Sequence, residues 1–116
     1  MVILLPFPPS SLSGHAKGNS HWGKSGVTAQ WRGWARLAAR EANAAAPPLG
    51  DIIIRVRFVP PNRKGDRVNF PIRCKPIFDG IADHLKCNDS RFVPVFEFAE
   101  PERGAGRLEI TIEVPL

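Results

Sequence analysis

The feature that most constrains the fold is a strict alternation of apolar and polar residues close to the carboxyl end. Apolar side chains occupy every second position from Leu108 to Val114, with charged or hydroxyl side chains between them. Successive side chains of a β-strand point to opposite faces, so this pattern predicts a strand with one buried face. Residues 51–59 show a second alternation, which ends at Pro60-Pro61. The chain therefore contains a sheet, and other elements must cover its apolar face.

The first half of the chain predicts one more strand and a helix. A short apolar run at Val2–Leu5 predicts a first strand buried on both faces. Residues 8–26 are rich in Pro, Ser, Gly and His without an apolar period, which predicts a long loop. A helix is expected from a cap at Thr28 towards Ala46, where Pro47-Pro48 stops it.

The remaining elements complete an α+β fold. A third strand over residues 92–98 contains Pro94, which predicts an edge strand or a bulge, and residues 100–106 predict a hairpin loop before the last strand. With a second helix in the centre of the chain, the element order is β-α-β-α-β-β. We expect a single domain over residues 1–116, with two helices on a mixed four-stranded sheet.

The centre of the chain carries its densest group of charges. Four of the five aspartates lie between Asp66 and Asp89, interleaved with lysines and arginines, while an apolar stripe keeps helical spacing. Because Pro76 would sit inside this helix, we expect a kink near Ile72 or a helix that is regular only from Pro76. Carboxylates suit a hard cation such as Mg²⁺, and nearby cations suit a phosphate. The alternative is a solvated helix face with i,i+4 pairs such as Lys75 with Asp79.

The charge distribution favours a polyanionic partner. The net charge is +5, and the excess of basic residues lies in the first half of the chain. Residues 55–75 carry many basic side chains around a single acid, Asp66, which suits a polyanion approaching a metal site. Lys17 and Lys24 lie among aromatic and histidine residues in the predicted loop, a mixture suited to phosphates and bases. Solubility alone is the alternative explanation of this charge.

Three blocks of sequence together resemble the RusA family of crossover-junction endodeoxyribonucleases, which resolve Holliday junctions and are common in phages and prophages. The central block consists of Asp66, Asn69, Lys75-Pro76-Ile77-Phe78-Asp79-Gly80-Ile81 and Asn88-Asp89-Ser90. The opening block is Leu5-Pro6-Phe7-Pro8-Pro9-Ser10, and the closing block is Gly106-Arg107-Leu108-Glu109-Ile110-Thr111-Ile112. The resemblance departs at Val68, where the family pattern has an aspartate.

The resemblance implies a catalytic site and its partners. It implies Asp66 and Asp89 as metal ligands for Mg²⁺ or Mn²⁺, Lys75 as the cation near the scissile phosphate, and Asp79 as a partner of Lys75. It also implies a homodimer that binds branched DNA, with one site for each strand that is cut. Charge and resemblance together give these candidate DNA-binding residues: Lys17, Lys24, Arg63, Lys64, Arg67, Asn69 and Arg73.

Two other functions remain open from the sequence. A protein with Val68 in place of a ligand is one carboxylate short, so it would bind branched DNA while cleaving it weakly or not at all. A single-strand or RNA-binding module would instead use the tryptophans and the arginine row of the first helix, Arg32, Arg36 and Arg40. No run is long enough to span a membrane, and two cysteines do not imply a disulfide, so we expect a cytoplasmic protein.

Overall fold

The computed structural model describes residues 1–12 and 21–113, with side chains described for residues 1–12 and 26–113. It confirms the α+β fold with two helices and a mixed four-stranded sheet. The regular elements follow one another in the order expected from the sequence. They are β1 (Ile3–Leu5), α1 (His21–Glu41), β2 (Ile52–Val59), α2 (Lys75–Leu85), β3 (Phe92–Phe98) and β4 (Arg107–Ile112).

The strand order in the sheet is β1-β4-β2-β3. Strand β4 pairs antiparallel with both β1 and β2, whereas β3 pairs parallel with β2. Pro94 lies in β3 at the edge of the sheet, as predicted, because a residue without an N–H is tolerated there. The alternation in β2 and β4 is also confirmed, since their apolar side chains are buried on one face.

Both helices pack on the apolar face of the sheet and against each other. Helix α1 contributes Trp31, Ala35 and Ala39 to the core, and α2 contributes Ile77 and Ile81. Gly80 lets the helix backbones come close, because a Cβ at this position would lie 2.2 Å from the Arg32 carbonyl oxygen. This close approach fixes the position of α2 on α1.

Three local predictions were wrong. Helix α1 begins at His21, so Thr28 lies inside it and the end of the predicted loop 8–26 is helical. The helix continues into this glycine-containing stretch because propagation adds a hydrogen bond for each residue that it orders. Strand β1 is buried on one face only, because Leu4 is 59% exposed. Helix α1 ends at Glu41, before the prolines, because Asn43 adopts a left-handed conformation that closes its last turn.

The predicted hairpin between β3 and β4 was also wrong. Strand β3 lies beside β2 rather than β4, and its aromatic residues stack on Phe58 of β2. The connection over residues 99–106 crosses the end of β2, where the Ala99 N–H donates to the Phe58 carbonyl oxygen. Gly106 permits this crossing, because its φ is +70° and a Cβ would lie 2.7 Å from the Val59 carbonyl oxygen. Turn residues in this segment therefore serve a crossover rather than a tight hairpin.

Candidate active site

The start of α2 brings together three of the charged residues singled out in the sequence. Two 3-10 turns, Arg67–Asn69 and Pro71–Cys74, precede α2, so the helix is regular only from Lys75, close to the expected position. The Lys75 ammonium contacts the Asp79 carboxylate at 3.0 Å and also contacts the Asp89 carboxylate. Asp79 lies one helical turn beyond Lys75, and Asp89 opens the 3-10 turn Asp89–Arg91 before β3. The predicted pairing of Lys75 with Asp79 is thus observed.

The electrostatics of this cluster favour the charged forms of Lys75 and Asp89. The Lys75 ammonium lowers the pKa of Asp89 below its ordinary value by hydrogen bonding. The same contacts, first with Asp89 and then with Asp79, raise the pKa of Lys75. All three groups remain accessible to solvent, with 67% of the Lys75 side chain exposed. The cluster therefore presents two carboxylates and one cation that a substrate can reach.

Asp83 follows Asp79 by one helical turn and has a different partner. The Arg32 guanidinium donates to both Asp83 carboxylate oxygens, at 2.7 and 2.8 Å, and lowers the pKa of Asp83. This two-point contact links α1 to α2 at the surface. Asp79, Asp83 and Asp89 all line one shallow depression of about 180 Å³, together with Asn88.

Asp66 lies in a separate, basic pocket. This pocket has a volume of about 460 Å³ and lies between the turn after β2 and the 3-10 turn Arg67–Asn69. Its charged and polar lining consists of Asn62, Arg63, Lys64, Asp66 and Arg67. Within the described part of the chain, the Asp66 carboxylate has no hydrogen-bond or ion-pair partner. Val68 also lines this pocket and is 83% exposed, so no packing role accounts for an apolar residue at this position.

The candidate DNA-binding residues differ in their availability. Lys64, Arg67 and Asn69 are exposed, and Arg63 forms an exposed ion pair with Glu100 at 2.8 Å. Arg73 is only partly exposed, and its guanidinium already has partners within the protein. Its guanidinium donates to the Pro8 carbonyl oxygen at 3.0 Å and lies 5.0 Å from the centre of the Phe70 ring. Lys17 and the side chain of Lys24 fall outside the described residues.

The structure thus brings Lys75 and Asp89 into contact and places Asp66 in a separate pocket. Among residues 1–12 and 21–113, no three histidine, cysteine, aspartate or glutamate side chains form a group that could hold a metal ion. Sequence reasoning missed the role of Arg32, which neutralises Asp83. The only signal for it was the unbalanced arginine row on α1, which indicated that an anion lay nearby.

The cysteines and His84 do not form a metal site. Cys74 is fully buried in the core, and burial raises the pKa of its thiol to about 12. His84 contacts the Ala44 carbonyl oxygen at 3.0 Å through Nε2. Both cysteines are free thiols. Cys74 therefore serves the packing of the core.

The fold and these contacts define a small α+β protein with an open site of carboxylates and cations. No helix in the described ranges has the length and apolar character needed to cross a bilayer. No family model matches the chain. An uncharacterized protein of Xylella fastidiosa is 37% identical over 115 residues, which are 95% of this chain and 74% of the relative. The chain belongs to the same family as this Xylella protein.

Proposed function

We propose that the protein is a metal-dependent endonuclease that resolves four-way DNA junctions, the activity implied by its resemblance to the RusA family. The observation that carries the proposal is the contact of Lys75 with Asp89 at an open surface. Both residues lie in the central block of the resemblance, fourteen positions apart, and the resemblance assigns both to the chemistry of phosphodiester hydrolysis. A carboxylate beside a lysine is what a hydrolase needs to hold a cation and to stabilise charge on a phosphate.

The donors present suit Mg²⁺ or Mn²⁺. Mg²⁺ usually keeps several waters and is bound through one or two carboxylates, so a group of three protein ligands is not required. Asp79 and Asp89 already share one cation, the Lys75 ammonium. By the resemblance the ion would be held by Asp89 and Asp66, although the two aspartates line separate pockets in this structure, and Asp79 is a further oxygen donor beside Asp89. When bound, it would activate a water and neutralise charge on the phosphate.

The residues of the chain would divide the remaining work. Lys75 would contact the scissile phosphate, and Asp79 would orient Lys75 through their 3.0 Å contact. Arg63, Lys64 and Arg67 would contact the DNA backbone around Asp66, where basic residues outnumber the single acid. A junction has two strands to cut symmetrically, so we propose a homodimer with one site for each strand. Free thiols fit a cytoplasmic location.

A second candidate is a protein that binds branched DNA without cutting it. Val68 occupies the position of a carboxylate in the family pattern, and Lys75 already neutralises Asp89. Both observations reduce the negative charge available to a cation. The two candidates differ in cleavage and agree in binding, so a single assay separates them.

The test is cleavage of a synthetic four-way junction in Mg²⁺ and in Mn²⁺, with binding measured in parallel. Asp89→Asn and Asp66→Asn should abolish cleavage and leave junction binding intact or tighter, because less negative charge faces the phosphates. Asp51→Asn is the matched control, since Asp51 is an exposed aspartate outside both pockets. If wild type binds junctions but cleaves under neither metal, the binding-only candidate stands. If Asp89→Asn cleaves as fast as wild type, the assigned site is wrong.

A further inference from the structure

A second basic surface lies on the helical side of the protein, apart from Asp66 and from Lys75. It is a groove of about 740 Å³ between α1 and the carboxyl end of α2, here called the helical groove. Its lining consists of Gly33, Arg36, Leu37, Arg40, Asp83, His84 and Lys86. Gly33 leaves open space, because a Cβ at this position would have no atom within 4 Å. The groove is therefore accessible along the exposed face of α1.

The charge of the helical groove is unbalanced. The three arginines of α1 follow one another at i,i+4 spacing, where like charges repel. Arg32 is neutralised by its two-point contact with Asp83, which is the only acid of the groove. Within the described residues, the side chains of Arg36, Arg40 and Lys86 form no hydrogen bond or ion pair. Three cations thus face the groove, and its one carboxylate is already bound to Arg32.

The backbone at Lys86 adds an independent observation. Lys86 has a φ of +55°, a left-handed conformation at the end of α2 that favours glycine. The Cys87 N–H donates to the Ala82 carbonyl oxygen and closes the helix there, so the geometry needs no side chain. A lysine at this position is costlier for the backbone than glycine. What it contributes is a positive charge on the wall of the groove opposite Arg36 and Arg40.

We propose that the helical groove binds the phosphate backbone of nucleic acid, as a second contact beyond the site of cleavage. Arg36 and Arg40 lie one turn apart on α1, about 6 Å along the helix axis, so they present separate charges in a row. A row of exposed charges fits a chain of phosphates better than a compact anion, which needs donors that converge on one point. Leu37, which is 54% exposed between the arginines, gives an apolar surface for a sugar.

The inference deepens the proposed function and rests on its DNA substrate. A four-way junction carries long duplex arms, and contacts beyond the crossover would hold an arm while the cut is made. The groove would then govern affinity for the arms and leave the chemical step at Lys75 and Asp89 unchanged. Groove variants should therefore change binding, whereas Asp89→Asn changes cleavage, so failure of one proposal is distinguishable from failure of the other.

The experiment compares Arg40→Gln with Arg103→Gln by fluorescence anisotropy on labelled junctions, over a range of salt concentrations. Both arginines are exposed and form no ion pair within the described part of the chain, and Arg103 lies outside the groove. Loss of one phosphate contact should reduce the slope of log affinity against log salt by about 0.9. We expect this reduction for Arg40→Gln and not for Arg103→Gln. The loss should be larger for long-armed than for short-armed junctions.

Lys86→Gly provides a second variant that cannot fail through loss of the fold. Glycine adopts the left-handed conformation of position 86 without the backbone strain of a lysine, so the melting temperature should rise. The affinity for long-armed junctions should fall, because a positive charge is lost from the groove. Unchanged slopes for both Arg40→Gln and Lys86→Gly would overturn the proposal. Unchanged salt slopes on DNA, combined with weaker binding of either variant to poly-glutamate, would also overturn the proposal. That outcome would assign the groove to an acidic protein partner instead.

Discussion

Replacement of Gly80 by alanine should destabilise the protein, although alanine is the better helix former. The added Cβ would lie 2.2 Å from the Arg32 carbonyl oxygen and 2.8 Å from the Ala35 Cβ, where ordinary contact begins near 3.4 Å. Overpacking costs about 1–3 kcal/mol, and a backbone neighbour that cannot rotate away puts this case near 3 kcal/mol. Alanine returns about 1 kcal/mol of helix propensity. The net loss is about 2 kcal/mol, or roughly 6–12 °C in melting temperature.

Gly33→Ala is the matched control for this prediction. Gly33 lies inside α1, and a Cβ there would meet nothing within 4 Å, so only the propensity gain remains. This variant should be more stable than wild type by about 1 kcal/mol. Thermal and urea unfolding of the three proteins measures both effects. If Gly80→Ala proves as stable as Gly33→Ala, the close approach of the α2 and α1 backbones at Gly80 is contradicted.

Three further predictions concern charge and assembly. Lys75→Gln should raise the pKa of Asp89 towards its ordinary value, measured by NMR titration. Because the pKa of Asp89 is lowered in folded wild type, its contact with Lys75 should stabilise the fold above the acidic range and be lost as the pH falls through it. Lys75→Gln should therefore lose less stability in acid. Equal acid sensitivity of the two proteins would contradict the contact. Replacing Arg63 and Lys64 by glutamine should weaken binding to all DNA alike and reduce the salt slope by about 2, whereas a change confined to one sequence would refute a backbone role. Sedimentation should give twice the chain mass of 12.8 kDa, and a monomer at micromolar concentration would count against the dimer.

The sequence predicted those parts of the fold that depend on local patterns. The alternation in β2 and β4 and the edge position of Pro94 follow from residue chemistry alone. The partner of β3 did not, because turn residues such as those in 100–106 serve a hairpin or a crossover equally well. Only the packing of its phenylalanines on Phe58 decides between them.

The candidate site shows the same division. The pairing of Lys75 with Asp79 follows from i,i+4 spacing on a helix and was predicted. The contact of Lys75 with Asp89 depends on how the turn after α2 folds back, which spacing does not encode. The packing of the Arg73 guanidinium on the Phe70 ring was missed for a similar reason. From sequence alone, a basic residue near a predicted site is assigned to DNA binding, because its tertiary neighbours are not yet known.

Single-turnover cleavage of a four-way junction by wild type and by Val68→Asp, measured across Mg²⁺ concentrations, tests directly whether the protein is a nuclease. Val68 is 83% exposed beside Asp66, so an aspartate there stays hydrated and should not disturb the fold. We expect Val68→Asp to cleave faster at limiting Mg²⁺, by about tenfold or more, which is the scale of changes around metal ligands. If both proteins bind the junction and neither cleaves it with any metal, the account of this protein as a nuclease is contradicted.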